Sequence, residues 1–306
     1  MTARRGFALL AAVWLMVGIA AIGLEVSWLA RSRRLAIANA IEGEQARAAA
    51  SAGLEQARAH LARALAISRV DALADPWRYL DAGASDSVGV ARYEFQINDD
   101  AAFLDVNVAS EAMLARLFVA CGADLPSATT AAARIADWRD ADQLRRAHGA
   151  EREDYLAAAA RVLPRDAAVQ SVAELDDVLE MPAASWRCVR PRLAVHGAGL
   201  VNPNTAPSEV LQALPGVSAL VASAIVAARR DGPLHDWREF LAAVPAGMRG
   251  NLELNAEALQ RLLVYQTNVV RVISAASLDA SPVHVVAEAL VRRTGGTAFT
   301  EWRSFR

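Results

Sequence analysis

Little in this chain of 306 residues is equipped for catalysis. Its five histidines, at 60, 148, 196, 235 and 284, never stand at a metal-ligand spacing such as His-x-x-x-His. No Gly-x-Ser-x-Gly and no phosphate-binding glycine loop occurs. These absences argue against an enzyme. An excess of positive charge is also missing: 32 Lys and Arg face 34 Asp and Glu, a net charge of -2. A nucleic-acid binder usually carries a basic patch, so nucleic acid is not the expected partner. Cysteine is nearly absent. Cys121 and Cys188 form no metal-ligand spacing. Outside the cytoplasm they can form one disulfide, and otherwise they are two buried thiols. The sequence leaves both readings open.

What the chain does have begins at its N-terminus. Residues 7–24 are an unbroken apolar run, which resumes after Glu25 and continues to Ala30. That meets the roughly 20 residues a spanning helix needs. Arg4 and Arg5 precede the run, and Arg31, Arg33 and Arg34 follow it. Flanking charge therefore leaves the orientation open. A cleavable secretory signal has a shorter apolar core closed by small residues. Here Gly18-Ile19-Ala20 is the nearest candidate, and the apolar run passes straight through it. Residues 35–65 are rich in Ala, Arg, Glu and Gln, with Ile37, Ile41, Leu54, Ala57 and Leu61 at roughly helical spacing. One long helix is expected, half in lipid and half packed on a globular head.

Beyond it, residues 71–89 hold Pro76 and Gly, Ser and Asp clusters and read as a loop. Residues 90–97 alternate apolar and polar, a half-buried strand. Asn98-Asp99-Asp100 reads as a turn and residues 103–108 as a second strand, completing a hairpin. From 109 to about 263 the pattern is helical with short Pro/Gly breaks. Strand patterns return at 265–275, 284–291 and 298–302. The expected class is α+β, an antiparallel sheet with a large all-helical insertion.

The helical block repeats itself. The segment from Asp105-Val106-Asn107 to Glu111 resembles that from Asn202-Pro203-Asn204 to Glu209. Each half then reaches a glycine, Gly122 or Gly216. Each continues into an Ala-rich helix ending Ile-x-x-x-Arg, at Ile135/Arg139 and Ile225/Arg229. A weaker pair follows at 171–175 and 236–241. The turn Leu214-Pro215-Gly216-Val217 fits a helix-hairpin-helix, whose backbone amides can hold a phosphate. It supplies the alternative reading, a membrane-anchored DNA-uptake receptor. The charges around it are mixed: Arg229, Arg230, Arg238 and Arg249 against Asp231, Asp236, Glu239 and Glu253. That balance favours packing over DNA.

One acidic cluster stands out. Asp137, Asp140 and Asp142 precede a Gly-containing loop, and Glu151 and Asp154 follow it. Oxygen-only ligands at irregular spacing suit Ca²⁺, which tolerates flexible geometry. The competing reading is a set of solvated charges paired with Arg139, Arg145, Arg146 and Arg152. The number of carboxylates bracketing one loop favours the ion.

These elements together resemble the K-type minor pseudopilins of type II secretion systems (GspK-like proteins). Arg5-Gly6-Phe7 is similar to a prepilin-peptidase site, with cleavage between Gly6 and Phe7. Ala11 stands where most such proteins carry Glu, as in the K subtype. Asp137-Trp138-Arg139-Asp140-Ala141-Asp142 with Gly149-Ala150-Glu151, and Asn202-Pro203-Asn204-Thr205-Ala206-Pro207, are close to the family's motifs. The resemblance implies a pilin-like fold: leader 1–6, membrane segment 7–30, helix continuation and first strands 31–108, helical insertion 109–263, and closing strands 264–306. It implies a single-pass inner-membrane protein with its head in the periplasm. It implies assembly with other minor pseudopilins, of the I and J types, at the tip of the pseudopilus. It also implies Ca²⁺ bound in the helical part, with the matching acids as candidate ligands. Residues 144–148 are more basic than such an ion site calls for.

Overall fold

A computed structural model describes residues 2–65, 70–73, 75, 84–267, 269–279, 281–294 and 297–305. Helix α1 runs unbroken over Thr2–Leu65. Its first part is long and apolar enough to cross a membrane. Leu35, Ile37 and Ile41 stay exposed beyond the apolar run. From Ala46 onward the helix has a buried face: Ala46, Ala49, Ala50, Leu54, Ala57 and Leu61. Steps of three and four residues place these side chains on one side. The four alanines among them let the helix lie close to the sheet beneath it. At Gly53 a Cβ would stand 2.8 Å from Tyr93 Cδ2 and run into Ser274 Oγ.

That sheet has five antiparallel strands in the order β1-β2-β5-β6-β7. They are β1 (Ala84–Val88), β2 (Ala91–Asp99), β5 (Val269–Leu278), β6 (His284–Thr294) and β7 (Thr297–Phe305). Strand alternation turns Ala91, Tyr93, Phe95 and Ile97 inward, where they share one core with α1 and with Val270, Val272, Ala287 and Ala289. The Tyr93 hydroxyl donates to Gln56 Oε1 of α1 at 2.8 Å.

Two sequence expectations fail here. Residues 84–88, read as loop, form β1 and provide the hairpin partner of β2. Residues 103–108 do not pair with β2. The reason lies at Asp99, whose carboxylate accepts from the Ala101 N–H at 2.9 Å. That bond caps a 3-10 turn at Asp100–Ala102, which carries the chain off the sheet. Only β3 (Leu104–Asp105) is extended in that stretch, and it pairs in parallel with β4 (Leu193–Ala194). The three closing strands occur close to where the pattern placed them: β5 begins four residues later than its alternation indicated, and β6 and β7 run longer than theirs.

Everything from Asp100 to Leu263 therefore lies between β2 and β5, which are neighbours in the sheet. This insertion has its own core, including Leu114, Phe118, Ile135, Trp138, Tyr155, Leu211, Ile225 and Phe240. Its helices are α2 (Glu111–Ala120), α3 (Leu125–Arg139), α4 (Arg152–Ala157), α5 (Ala183–Val189), α6 (Ser208–Ala213), α7 (Ala219–Ala228), α8 (Trp237–Ala242), α9 (Gly250–Leu254) and α10 (Ala256–Leu262).

The internal repeat reappears as matching hydrogen bonds. Asp105 accepts from the Asn107 N–H at 2.9 Å, and Asn202 accepts from the Asn204 N–H at 3.0 Å. Arg139, closing α3, donates to the carbonyls of Val106 and Ala109. Arg229, closing α7, donates to those of Pro203 and Ala206. Each arginine thus holds the loop that opens its own half. Gly122 and Gly216 both take positive φ, +88° and +73°, the conformation that glycine adopts most easily.

A buried knot ties the insertion to the sheet. Asp99 accepts from Thr205 Oγ1 at 2.6 Å, Asn202 Nδ2 at 3.1 Å and Thr267 Oγ1 at 2.5 Å. Asn202 Nδ2 also donates to the Asp71 carbonyl at 2.9 Å. The knot joins the segment after α1, the end of β2, the second half of the insertion and the approach to β5.

Candidate functional site

The acidic cluster forms where α3 ends and α4 begins. Asp137 lies in the last turn of α3, Asp140 follows it as the C-cap, and Glu151 is the N-cap of α4. The two helices are locked by Trp138 against Tyr155, ring centroids 5.4 Å apart. One carboxylate oxygen from each of Asp140, Asp142 and Glu151 lies within 4.8 Å of the others. Glu151 is 4 % exposed. Among the described residues, both of its oxygens lack a hydrogen-bond partner, as does Oδ1 of Asp140. A buried, unpartnered carboxylate is costly, and neighbouring acids add to the cost. Burial first, then the charges of Asp137, Asp140, Asp166 and Asp142, push the Glu151 carboxyl up to about 7. Buried, donor-free oxygens of Glu151 and Asp140, beside the exposed carboxylate of Asp142, are a setting that a hard divalent cation satisfies. The residues present fit Ca²⁺.

The structure sorts the five acids that the sequence singles out. Asp140, Asp142 and Glu151 converge. Asp137 is fully buried, but accepts from Arg146 Nη1 at 2.7 Å. A Cβ at Gly149 would overlap the Asp137 carboxylate, so only glycine lets the loop pass there. Asp154 points away, accepting from Arg145 Nη1 and from the Glu151 N–H, both at 2.9 Å. It steadies the first turn of α4. Charge pairing and convergence therefore coexist in this loop. Asp166 is the residue the sequence reading missed. It bears on Glu151 electrostatically, and its Oδ1 is buried without a partner among the described residues. Its φ of +54°, which Asp tolerates better than most residues, is the backbone sign of its special position. Standing alone in Pro164-Arg165-Asp166, it gave no spacing signal.

The other candidates are placed as follows. Cys121, after α2, and Cys188, in α5, are bonded, with S–S 2.08 Å and Cα–Cα 5.7 Å. Gly6 and Phe7 lie in the opening turns of α1. The Pro215-Gly216 turn is turned inward: a Cβ on Gly216 would stand 2.5 Å from the Asn251 carbonyl and 2.9 Å from Asn255 Nδ2. The turn is used for packing, and nothing in its surroundings supports the DNA alternative.

Two family models, both described as type II secretion system (T2SS), protein K, match residues 93–198 and 201–260. The chain belongs to the protein K family. It is a K-type minor pseudopilin of type II secretion. The two matches divide at the seam between the two halves of the insertion, just before the Asn202 loop. The fold is also that of a chain in the crystal structure of the GspK-GspI-GspJ complex from the enterotoxigenic Escherichia coli type 2 secretion system. The TM-score is 0.71 at 17% identity, over 90% of this chain and 99% of that one. A comparison with curated proteins found no match.

Proposed function

We propose that this K-family chain sits at the tip of the pseudopilus, assembled with I- and J-type minor pseudopilins, and helps initiate the filament that supports export across the outer membrane. The observation that carries this reading is the insertion of residues 100–263 between adjacent strands of a pilin-like sheet. A mass of that size beside the stem would obstruct a subunit stacking above it. Ala11, where a buried carboxylate would otherwise meet the amine of the next subunit, suits a chain with no neighbour above. The GspK-type chain of similar fold was solved in complex with GspI and GspJ, which supports the choice of partners. The test is co-purification from detergent-solubilised membranes. Tagged chain should bring down the I- and J-type subunits stoichiometrically; a chain that purifies alone counts against the tip assignment.

The same reading makes α1 a single inner-membrane anchor, cut between Gly6 and Phe7 by prepilin peptidase, methylated there, and bearing a periplasmic head. The Cys121–Cys188 bond supports that compartment, since disulfides persist where it is oxidising. Mass spectrometry of the mature N-terminus checks it. A chain still starting at Met1, or cut near Ala20, would overturn it.

Calcium completes the proposal. Asp140, Asp142 and Glu151 hold the ion, with Asp166 and Asp137 adding negative charge. Bound there, it carries out no reaction; it fastens the end of α3 to the start of α4. Calorimetric titration of the chelator-treated protein with Ca²⁺ tests this, and no heat at millimolar ion would count against it.

A further inference from the structure

We propose that Arg146 is a built-in rival of the bound cation: its guanidinium neutralises the acid cluster when no divalent ion is present, and so sets how far the domain depends on one. This rests on the calcium reading above and adds a regulator to that site.

The geometry is specific. Arg146 Nη1 lies 2.7 Å from Asp137 Oδ1 and also bonds Asp140 Oδ2, with Glu111 Oε2 at 3.8 Å from Nε. Asp140 is therefore shared. Its Oδ2 faces the guanidinium, its buried Oδ1 has no partner among the described residues, and the residue gives one oxygen to the group with Asp142 and Glu151. A cation on Oδ1 and a guanidinium on Oδ2 of one carboxylate repel each other, and a cation taking both oxygens must displace the arginine.

Arg146 is also placed to leave. Its side chain is 37% exposed, whereas that of Asp137 is 0%. Its backbone is held independently of the guanidinium. The Arg146 N–H points at the Asp137 carboxylate at 3.3 Å, and its carbonyl accepts from the Gly149 N–H at 3.0 Å. The side chain can swing to solvent while the loop keeps its path. An arginine cannot shed its charge, so the rivalry is decided by position. Arg146 pairs with Asp137, Asp140 and Glu111. Both Glu151 oxygens remain without a partner among the described residues, on the side left to the ion.

The experiment compares Ca²⁺ binding and melting of the full chain in detergent with those of Arg146→Gln, Arg146→Lys and Arg145→Gln. Arg146→Gln should bind Ca²⁺ at least tenfold more tightly, melt lower without the ion, and gain more from its addition. Arg146→Lys keeps the charge and should stay near the wild-type affinity. Arg145 pairs with Asp154, outside the cluster, so Arg145→Gln should leave the affinity unchanged. If Arg146→Gln is unfolded without calcium but folds on its addition, that is the same dependence in extreme form. Unchanged or weakened binding by Arg146→Gln overturns the proposal and makes Arg146 a support for Asp140. So does a failure of that variant to fold even with the ion. No binding by the wild type overturns the calcium reading itself, and this inference with it.

Discussion

Asn107 and Val169 exchange two hydrogen bonds as paired strand residues do, although only one contributes backbone. Asn107 Nδ2 donates to the Val169 carbonyl at 2.9 Å, and the Val169 N–H donates to Asn107 Oδ1 at 2.8 Å. In the second half of the insertion, Asn204 does the same with Leu234, at 2.8 and 2.7 Å. An amide is the side chain that carries both a donor and an acceptor in that geometry. The two halves thus share a physical device as well as a pattern.

Asn107→Ala and Asn204→Ala should each destabilise the fold, because buried backbone groups lose their partners. An unsatisfied buried group costs about 1–3 kcal/mol, and each asparagine serves at least two. Asn204 is 1% exposed and Asn107 half-buried, so Asn204→Ala should cost more. Denaturant melts of both variants would show the order. Equal and negligible losses would mean that water replaces the amide at both places.

How much of this could be read from residues alone follows from which forces are local. The long helix, the closing strands and the repeat were legible because periodicity and paired motifs are local signals. The partner of β2 was misread because residues 103–108 look as strand-like as 84–88. Asp99 decides between them, and its carboxylate also gathers donors from Thr205 and Thr267, far along the chain. The acidic loop was legible as a concentration of charge. Its inner division was not: Asp154 was expected among the ligands and caps α4 instead, while Asp166 enters from a turn. Spacing along the chain carries no information about which carboxylates a folded loop aims inward.

That division makes a paired prediction. Glu151→Gln should remove most of the calcium-induced rise in melting temperature, because the central charge is lost while the shape is kept. Asp154→Asn should retain calcium binding and lose about 1 kcal/mol, the usual value of a helix-end hydrogen bond. Differential scanning fluorimetry with calcium and with chelator distinguishes them. Equal calcium responses in the two variants would show that the site has been drawn around the wrong acids.

The disulfide should be a major support of the insertion. It closes a sequence separation of 67 residues between α2 and α5. Loop-closure entropy for a ring of that size is worth about 4 kcal/mol. The pair Cys121→Ser and Cys188→Ser, or reduction of the wild type, should lower the denaturant midpoint accordingly. A midpoint unchanged by reductant would mean that the bond constrains little in the unfolded chain.

Asp105 offers a pH test outside the calcium loop. It is 4% exposed, and burial, with a smaller contribution from Asp100, raises its carboxyl from the ordinary 3.8 to about 6. The hydrogen bond from the Asn107 N–H, then Arg139 and Arg271, oppose the shift without cancelling it. A raised folded-state value means that the native chain holds this proton more tightly than the unfolded chain. Stability from this group is therefore greatest below about pH 4 and is lost as pH rises to about 6. The loss is on the order of 3 kcal/mol for a shift of roughly two units. Asp105→Asn removes the ionisation and keeps an oxygen to accept from the Asn107 N–H. Other carboxylates titrate in the same range, so the informative quantity is the variant's stability minus the wild type's. That difference should grow between pH 4 and pH 6 and stay level above it. A difference independent of pH would mean that Asp105 is already satisfied as a charge, by Arg139 and Arg271 together.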